Sequence, residues 1–211
     1  ETLLVQQSRV NTELQEGLMS ARLVPFDKQV NRLKRIVRQT TNETGKQAII
    51  EFEGVDLELD RNVVERMMPP IEHMLRNAIA HGIETPEQRK ASGKEEQGNI
   101  LLHMSREGGD VVIQIVDDGA GIDFDAIRAK AIEKGLIKAD ANVPDKYLVD
   151  LILESGFSTA DEVTQIAGRG VGMDVVNNEI KQLGGVLNID THRGEGTTFT
   201  VSMPLSLAVS R

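Results

Sequence analysis

A helix that is apolar on most sides, yet carries His73, Asn77 and His81 at four-residue steps, is followed in this chain by three glycine-rich turns. The helix reads HMLRNAIAHG over residues 73–82; the turns read DDGAG at 117–121, GRGVGM at 168–173 and GEGTT at 194–198. Residues four apart share a helix face, so two imidazoles and one amide form a polar stripe, with Met74, Leu75, Ala78 and Ile79 on the other sides. A polar group buried without a partner is costly, so the stripe is either a solvated face, its usual meaning, or one wall of a polar site. DDGAG leaves an alternating strand at 111–116, GRGVGM opens a helix at 171–183, and GEGTT reverses the chain between strands at 186–191 and 198–203. Taken singly each turn is weak, because Asp-Gly turns are widespread. Their order and spacing together are the strong signal.

The rest of the chain supplies alternating elements. Residues 1–22 read as an amphipathic helix with Leu3, Val10, Leu14 and Leu18 on one face. Pro25 ends it, and a basic, periodic second helix runs over 26–41. Two short alternating runs, 47–53 and 55–59, are split by Gly54 and predict a hairpin or bulged strands. Asp60 is placed as the N-cap of a long helix reaching residue 80. A second hairpin joins 99–106 to 111–116, and helices are expected at 124–135 and 144–154. Helices interleaved with strand pairs predict an α+β fold: a two-layer α/β sandwich, its mixed sheet covered on one face by helices.

Composition narrows the function classes. The 211 residues are enough for one large domain, or one domain with an appendage. Aromatic residues make up only 3% and Trp is absent, so the core must be aliphatic. Without Cys there is no disulfide, thiolate metal site or cysteine nucleophile. No apolar run approaches the roughly 18 residues of a membrane helix. A net charge of −9 argues against a nucleic-acid surface, and it means that any phosphate must be held by backbone N–H groups, a metal and a few placed cations.

The motifs fit a nucleotide. The side-chain oxygen of Asn77 suits Mg²⁺, a hard cation that accepts one protein oxygen plus phosphates and waters. His73, one turn earlier, titrates near neutrality and can accept or steer a proton. Zinc is disfavoured, because His73 and His81 stand two turns apart. Asp117 is placed to accept the amino hydrogen of adenine, with Gly119 and Gly121 letting the backbone approach the base. Calcium is the bland competitor there, but the loop lacks the further acids and terminal Glu of a calcium hand. Gly168, Arg169, Gly170, Val171, Gly172 and Met173 precede a helix, whose N-terminus favours an anion. That string is neither a P-loop nor a Rossmann turn. Arg76, Lys90 and Lys94 are candidate phosphate or lid cations, with simple solvation as the alternative.

In this order and spacing the four motifs resemble the ATP-binding domain shared by histidine kinases, type II topoisomerases and heat-shock ATPases. The wording HGIETPEQRKASGK, GFSTADEV and GRGVGMDVV is most similar to the CheA family of chemotaxis histidine kinases, over about residues 14–208. The resemblance implies a Bergerat-type ATP-binding fold over residues 25–206, preceded at 1–24 by part of a dimerisation helix and linker and followed at 207–211 by the start of a linker. The opening helix implies a piece of a longer protein. The joint Leu23-Val24-Pro25-Phe26 also fits the hybrid, pilus-motility type of such kinases. The resemblance implies ATP and Mg²⁺ as ligands, with His81 in the nucleotide site beside His73 and Asn77. It implies a lid over 158–168, anchored by Phe157, with Ser158 and Thr159 near phosphate. It gives Gly196 the task of admitting the adenine edge and Thr197 a place in the network around Asp117. The implied activity is transfer of the γ-phosphoryl group to a histidine on a separate phosphotransfer domain. The implied setting is a cytoplasmic two-component system with a CheW-like coupling domain, a chemoreceptor array and, indirectly, a response regulator. The full-length protein would be a homodimer and this piece a monomer. Two rivals are an ATP-driven clamp, which would need Glu at position 73 and a lysine from a downstream domain, and a nucleotide-sensing scaffold, against which the intact Asn77, Asp117 and glycines argue.

Overall fold

The computed structural model describes residues 5–12, 22–154, 157 and 172–204. Residues 5–12 are helical (α1). The short strand β1 (Leu23–Pro25) leads through a 3₁₀ turn at Phe26–Gln29 into α2 (Val30–Thr44), which ends where Gly45 adopts a left-handed C-cap. There follow β2 (Ala48–Glu53), β3 (Glu58–Asp60), α3 (Arg61–Asn77), a π turn at Ala78–Gly82 and α4 (Pro86–Ala91). The chain continues through β4 (Gly98–Glu107), β5 (Asp110–Asp117), α5 (Phe124–Glu133), α6 (Asp145–Ile152), α7 (Met173–Gln182), β6 (Val186–His192) and β7 (Gly196–Pro204).

Five strands form one mixed sheet in the order β2-β4-β5-β7-β6, with β2–β4 parallel and the other pairs antiparallel. Side chains alternate across a strand. Ile100, Leu102 and Met104 of β4, Val111, Ile113 and Ile115 of β5, and Phe199, Val201 and Met203 of β7 therefore face one side. There they pack in one core with Leu33 and Val37 of α2, Met67, Ile71 and Met74 of α3, and Val176 and Ile180 of α7. The opposite face carries residues such as His103, Gln114 and Thr200, which are only partly covered. The two-layer arrangement expected from the sequence is present. A smaller apolar cluster joins α5 and α6 through Ile127, Ala131, Leu148 and Leu151, and Phe157 is buried in it.

The runs 47–53 and 55–59, expected as a hairpin or bulged strands, do not pair with each other. β2 pairs parallel with β4, and β3 leaves the sheet to pair antiparallel with β1, Val24 opposite Leu59. Gly54 stands where the chain leaves β2: its φ is 68°, and a side chain there would collide with the Met104 carbonyl of β4. The chain thus leaves β2 packed closely against the β4 backbone. Asp60 does cap α3, accepting from the amide of Asn62 at 2.8 Å, and also pairs with Arg22 at 3.2 Å. Among the described residues no helix is long and apolar enough to cross a membrane.

Candidate functional site

The helix bearing the polar stripe does not run straight to residue 80. At Ala78 it widens into a π turn, closed by the amide of Ile83 donating to the carbonyl of Ala78 at 2.7 Å. Insertions of this kind recur at functional sites. Carbonyls near a helix end need partners, and Lys46, just before β2, supplies them: its ammonium donates to Ile79 O at 2.9 Å and Ala80 O at 2.6 Å. Burial depresses the pKa of that lysine, and Glu84 opposes the depression. The π turn carries Gly82 against the strand exit of DDGAG, where the Gly82 carbonyl accepts the amide of Ala120 at 2.8 Å. A side chain at Gly119 would collide with that same carbonyl.

Asp117 ends β5 on the core side of the sheet and is buried. One carboxylate oxygen, Oδ1, accepts from the amide of Gly119 at 2.9 Å. The other, Oδ2, is among the buried side-chain atoms without a hydrogen-bond partner among the described residues. Burial raises the pKa of this acid to about 6, the negative charges of Asp118 and Glu84 push the same way, and bonds from the amides of Gly119 and Thr197 resist. Opposite it in the ladder stands Thr197, whose hydroxyl lies 3.1 Å from that of Thr191. Thr191 Oγ1 also accepts from the amide of Ile122 at 2.9 Å, so the DDGAG loop is tied to the final hairpin. Gly196 has φ 119°, and a side chain on it would collide with the Asp117 carbonyl. What its bare backbone admits is therefore the end of the neighbouring strand. A side chain on Gly121 would likewise collide with the His192 carbonyl, though less severely.

At the other end of the stripe, Asn77 meets α7, its Nδ2 lying 3.1 Å from Met173 Sδ. His73 is buried one turn earlier, and its Nε2 has no hydrogen-bond partner among the described residues. Burial lowers its pKa, the positive Arg76 and His81 add to that, and Asp174 opposes. The neutral imidazole is thus favoured. Arg76 reaches Glu72 at 3.5 Å, the same carboxylate that Arg32 holds at 2.6 Å. His81 lies exposed on the π turn.

The structure thus brings His73, Asn77, Gly172 and Met173 together at the joint of α3 and α7, and Asp117, Gly119, Gly121, Gly196 and Thr197 together at the adjoining strand ends. Ser158, Thr159, Gly168, Arg169, Gly170 and Val171, with the expected lid, lie outside the described residues. Lys90 and Lys94 do not stand as free cations. Lys90 pairs with Glu96 at 3.3 Å, and Lys94 donates to Glu84 at 2.8 Å and to the carbonyls of Asp118 and Gly119 at 2.9 and 2.8 Å. The acids of the 84–118 region draw these lysines in. Two residues escaped the sequence reading altogether: Lys46, and Arg89, which is 1% exposed and carries a dense set of partners on the DDGAG loop. The signal for Arg89 was the capping box opened by Thr85, which fixes the phase of α4.

A helical layer whose polar joint abuts a buried carboxylate with one oxygen unpartnered among the described residues is laid out as a ligand site, and comparison with known proteins gives its class. Residues 68–207 match the family described as histidine kinase-, DNA gyrase B-, and HSP90-like ATPase, and the chain belongs to that family. Within it the chain is similar to chemotaxis protein CheA. It is 44% identical to that of Rhizobium meliloti over 206 residues, 98% of this chain and 27% of that protein. It is 44% identical to that of Halobacterium salinarum (98% and 31%) and 40% identical to that of Salmonella typhimurium (99% and 31%). The chain spans under a third of the length of these relatives. The catalytic domain of histidine kinase ThkA, in a nucleotide-free form, shares the fold with a TM-score of 0.53 at 16% identity, over 87% of this chain and 94% of that one. The chain is an ATP-binding domain of the kind found in chemotaxis-type histidine kinases.

Proposed function

We propose that this domain binds Mg²⁺–ATP and presents its γ-phosphoryl group to a histidine on a separate phosphotransfer domain, as part of a chemotaxis-type histidine kinase. The observation that carries the nucleotide site is the unpartnered Oδ2 of Asp117, buried at a wall of glycines. An orphaned buried acceptor costs free energy unless a ligand donor meets it, and the exocyclic amine of adenine is such a donor. Guanine carries a carbonyl oxygen in the corresponding place, so the same carboxylate discriminates against GTP.

The residues present fit Mg²⁺, because the Asn77 carbonyl oxygen is a single hard ligand of the sort this ion takes alongside phosphates and waters. When bound, the ion neutralises phosphate charge. The chain's own groups do the rest: Asp117 fixes the base, and the start of α7 at Gly172 and Met173 offers amides to the phosphates. Arg76 adds positive charge, and His73, held neutral, takes or steers a proton at Nε2. Phosphoryl transfer asks chiefly for positioning and charge neutralisation.

By this reading residues 25–206 are the catalytic domain, 1–24 belong to a dimerisation helix and linker, and 207–211 begin a further linker. The whole protein would be a cytoplasmic homodimer working with a CheW-like coupling domain, receptors and a response regulator. A clamp ATPase is less well supported, because His73 stands where that class requires a carboxylate base. ATP titration with and without Mg²⁺, followed by transfer of labelled phosphate to an added histidine phosphotransfer domain, tests the proposal. Tight Mg²⁺-dependent binding with no transfer to any such domain would leave a nucleotide sensor instead.

A further inference from the structure

The segment between the π turn and β4 contributes nothing to the sheet, yet it holds the most buried charge of the described chain. Arg89, on the short helix α4, is 1% exposed. Its guanidinium makes a fork on Asp118, Nη1 to Oδ1 at 3.0 Å and Nη2 to Oδ2 at 2.9 Å. Nη1 further reaches the Asp118 carbonyl at 3.2 Å and Glu84 Oε2 at 3.1 Å, and Nε donates to the Glu95 carbonyl at 2.6 Å. Lys94 completes the enclosure by donating to Glu84 Oε1 and to the carbonyls of Asp118 and Gly119. Asp118 in turn accepts from the amide of Asn99 at 2.9 Å, locking the loop to the start of β4. Arg89 thus grips both carboxylate oxygens of Asp118, and Lys94 grips the main-chain carbonyls of Asp118 and Gly119. Asp117 is the preceding residue, and its Oδ2 has no hydrogen-bond partner among the described residues.

We propose that Arg89, seconded by Lys94, is the positioning residue of the base-reading loop: by fixing Asp118 and the Gly119 carbonyl it holds the Asp117 carboxylate in the place and charge state that receive a purine amino group. This inference rests on the base-reading assignment above. Planar, two-pronged pairing gives a guanidinium orientational control that an ammonium lacks, so lysine at position 89 is not an equivalent. Charge balance belongs to the same device. Asp118 and Glu84 are the acids that act on Asp117; Arg89 is bonded to both carboxylates, and Lys94 to that of Glu84 and to the main-chain carbonyl of Asp118, while Lys46, on the π turn side, also feels Glu84. Weakening either cation leaves two negative charges beside Asp117 less compensated, which favours its protonated form.

The test uses the chain carrying Arg89→Lys or Lys94→Met, titrated with Mg²⁺–ATP and Mg²⁺–GTP between pH 5 and 8, with thermal unfolding measured in parallel. For Arg89→Lys the expected result is an ATP dissociation constant raised about tenfold, a smaller ATP-over-GTP preference, and a shift of the ATP-affinity midpoint to higher pH. Lys94→Met should move all three readouts the same way by a lesser factor. If folded variants keep the wild-type ATP affinity, base preference and pH midpoint, the ion cluster merely stabilises the segment and the inference is overturned. Should Arg89→Lys not fold, Lys94→Met decides alone on the same criteria. If the wild-type chain itself shows no ATP-over-GTP preference, the base-reading assignment falls and this inference with it; wild-type preference retained by the variants sinks the inference only.

Discussion

Asp117 Oδ1 accepts from the amide of Gly119, its Oδ2 has no hydrogen-bond partner among the described residues, and its carboxyl pKa is pushed up to about 6 because burial penalises its charge. The consequence for stability has a definite sign. A folded-state pKa raised from 3.8 to about 6 means that ionisation costs nothing below about pH 4 and its full amount above about pH 6. At about 1.4 kcal/mol per pKa unit, the penalty at neutral pH is on the order of 2–3 kcal/mol. Asp117→Asn should therefore raise the unfolding temperature at pH 7 and lose that advantage toward pH 4, as calorimetry across the range would reveal. The same variant should bind ATP less tightly and separate ATP from GTP less well, because an amide of either orientation replaces a charged acceptor. Wild-type ATP affinity should fall as pH drops through about 6, and the Asn variant should lack the part of that fall due to Asp117. An unchanged base preference in Asp117→Asn would remove this residue from the base-reading role.

At the scale of elements, the π turn is the joint on which the site depends. It aims the Gly82 carbonyl at the amide of Ala120, and Gly119 leaves room for the approach. Gly119→Ala should push the loop off the helix end, lowering both the melting temperature and ATP affinity, the latter by about tenfold or more, readable by calorimetry on one sample. Lys46→Met should destabilise by about 1–3 kcal/mol, since the carbonyls of Ile79 and Ala80 lose their donor; denaturant unfolding checks this. A shift within a few tenths of a kcal/mol would mean that water replaces the ammonium at no cost. These elements also mark where sequence was readable. Local signals worked: Asp60 caps α3 by its own side chain, and the turn Gly108-Gly109 joins β4 to β5 in register. Signals that depend on distant partners did not. The alternation around Gly54 reads as a hairpin because nothing local says that β2 will find β4 in parallel across the whole of α3. Likewise Lys94 reads as a candidate phosphate or lid cation, and Arg89 as nothing in particular, until the fold brings Asp118, 29 residues from Arg89, onto them.

On the proposed reading, the molecule as a whole divides positioning from acceptance. The joint of α3 and α7 should make phosphate binding depend on Asn77, and Asn77→Ala is expected to abolish Mg²⁺-dependent nucleotide affinity and cut transfer by about 2–4 kcal/mol of barrier, with circular dichroism unchanged. Normal transfer by the variant would dismiss Asn77 as the metal ligand. The remaining expectation concerns self-phosphorylation. An accepting imidazole must approach the γ-phosphorus in line at about 3–3.5 Å, which asks for a histidine free to enter the site from outside. The chain has four histidines. His73 is buried within α3, and His81 rides on the π turn, part of the same wall. His103 points to the open face of the sheet and lies 3.2 Å from Glu53, and His192 ends β6, paired with Gly196, with its carbonyl packed against Gly121. Each is fixed to the frame that holds the nucleotide, so none can be delivered to its own γ-phosphate without dismantling that frame. Incubated with labelled ATP and Mg²⁺, the chain should acquire no stoichiometric acid-labile phosphate, yet it should label an added histidine phosphotransfer domain in trans. Acid-labile label on any of the four histidines, located by peptide mapping, would show that the domain contains its own acceptor and that the division is wrong.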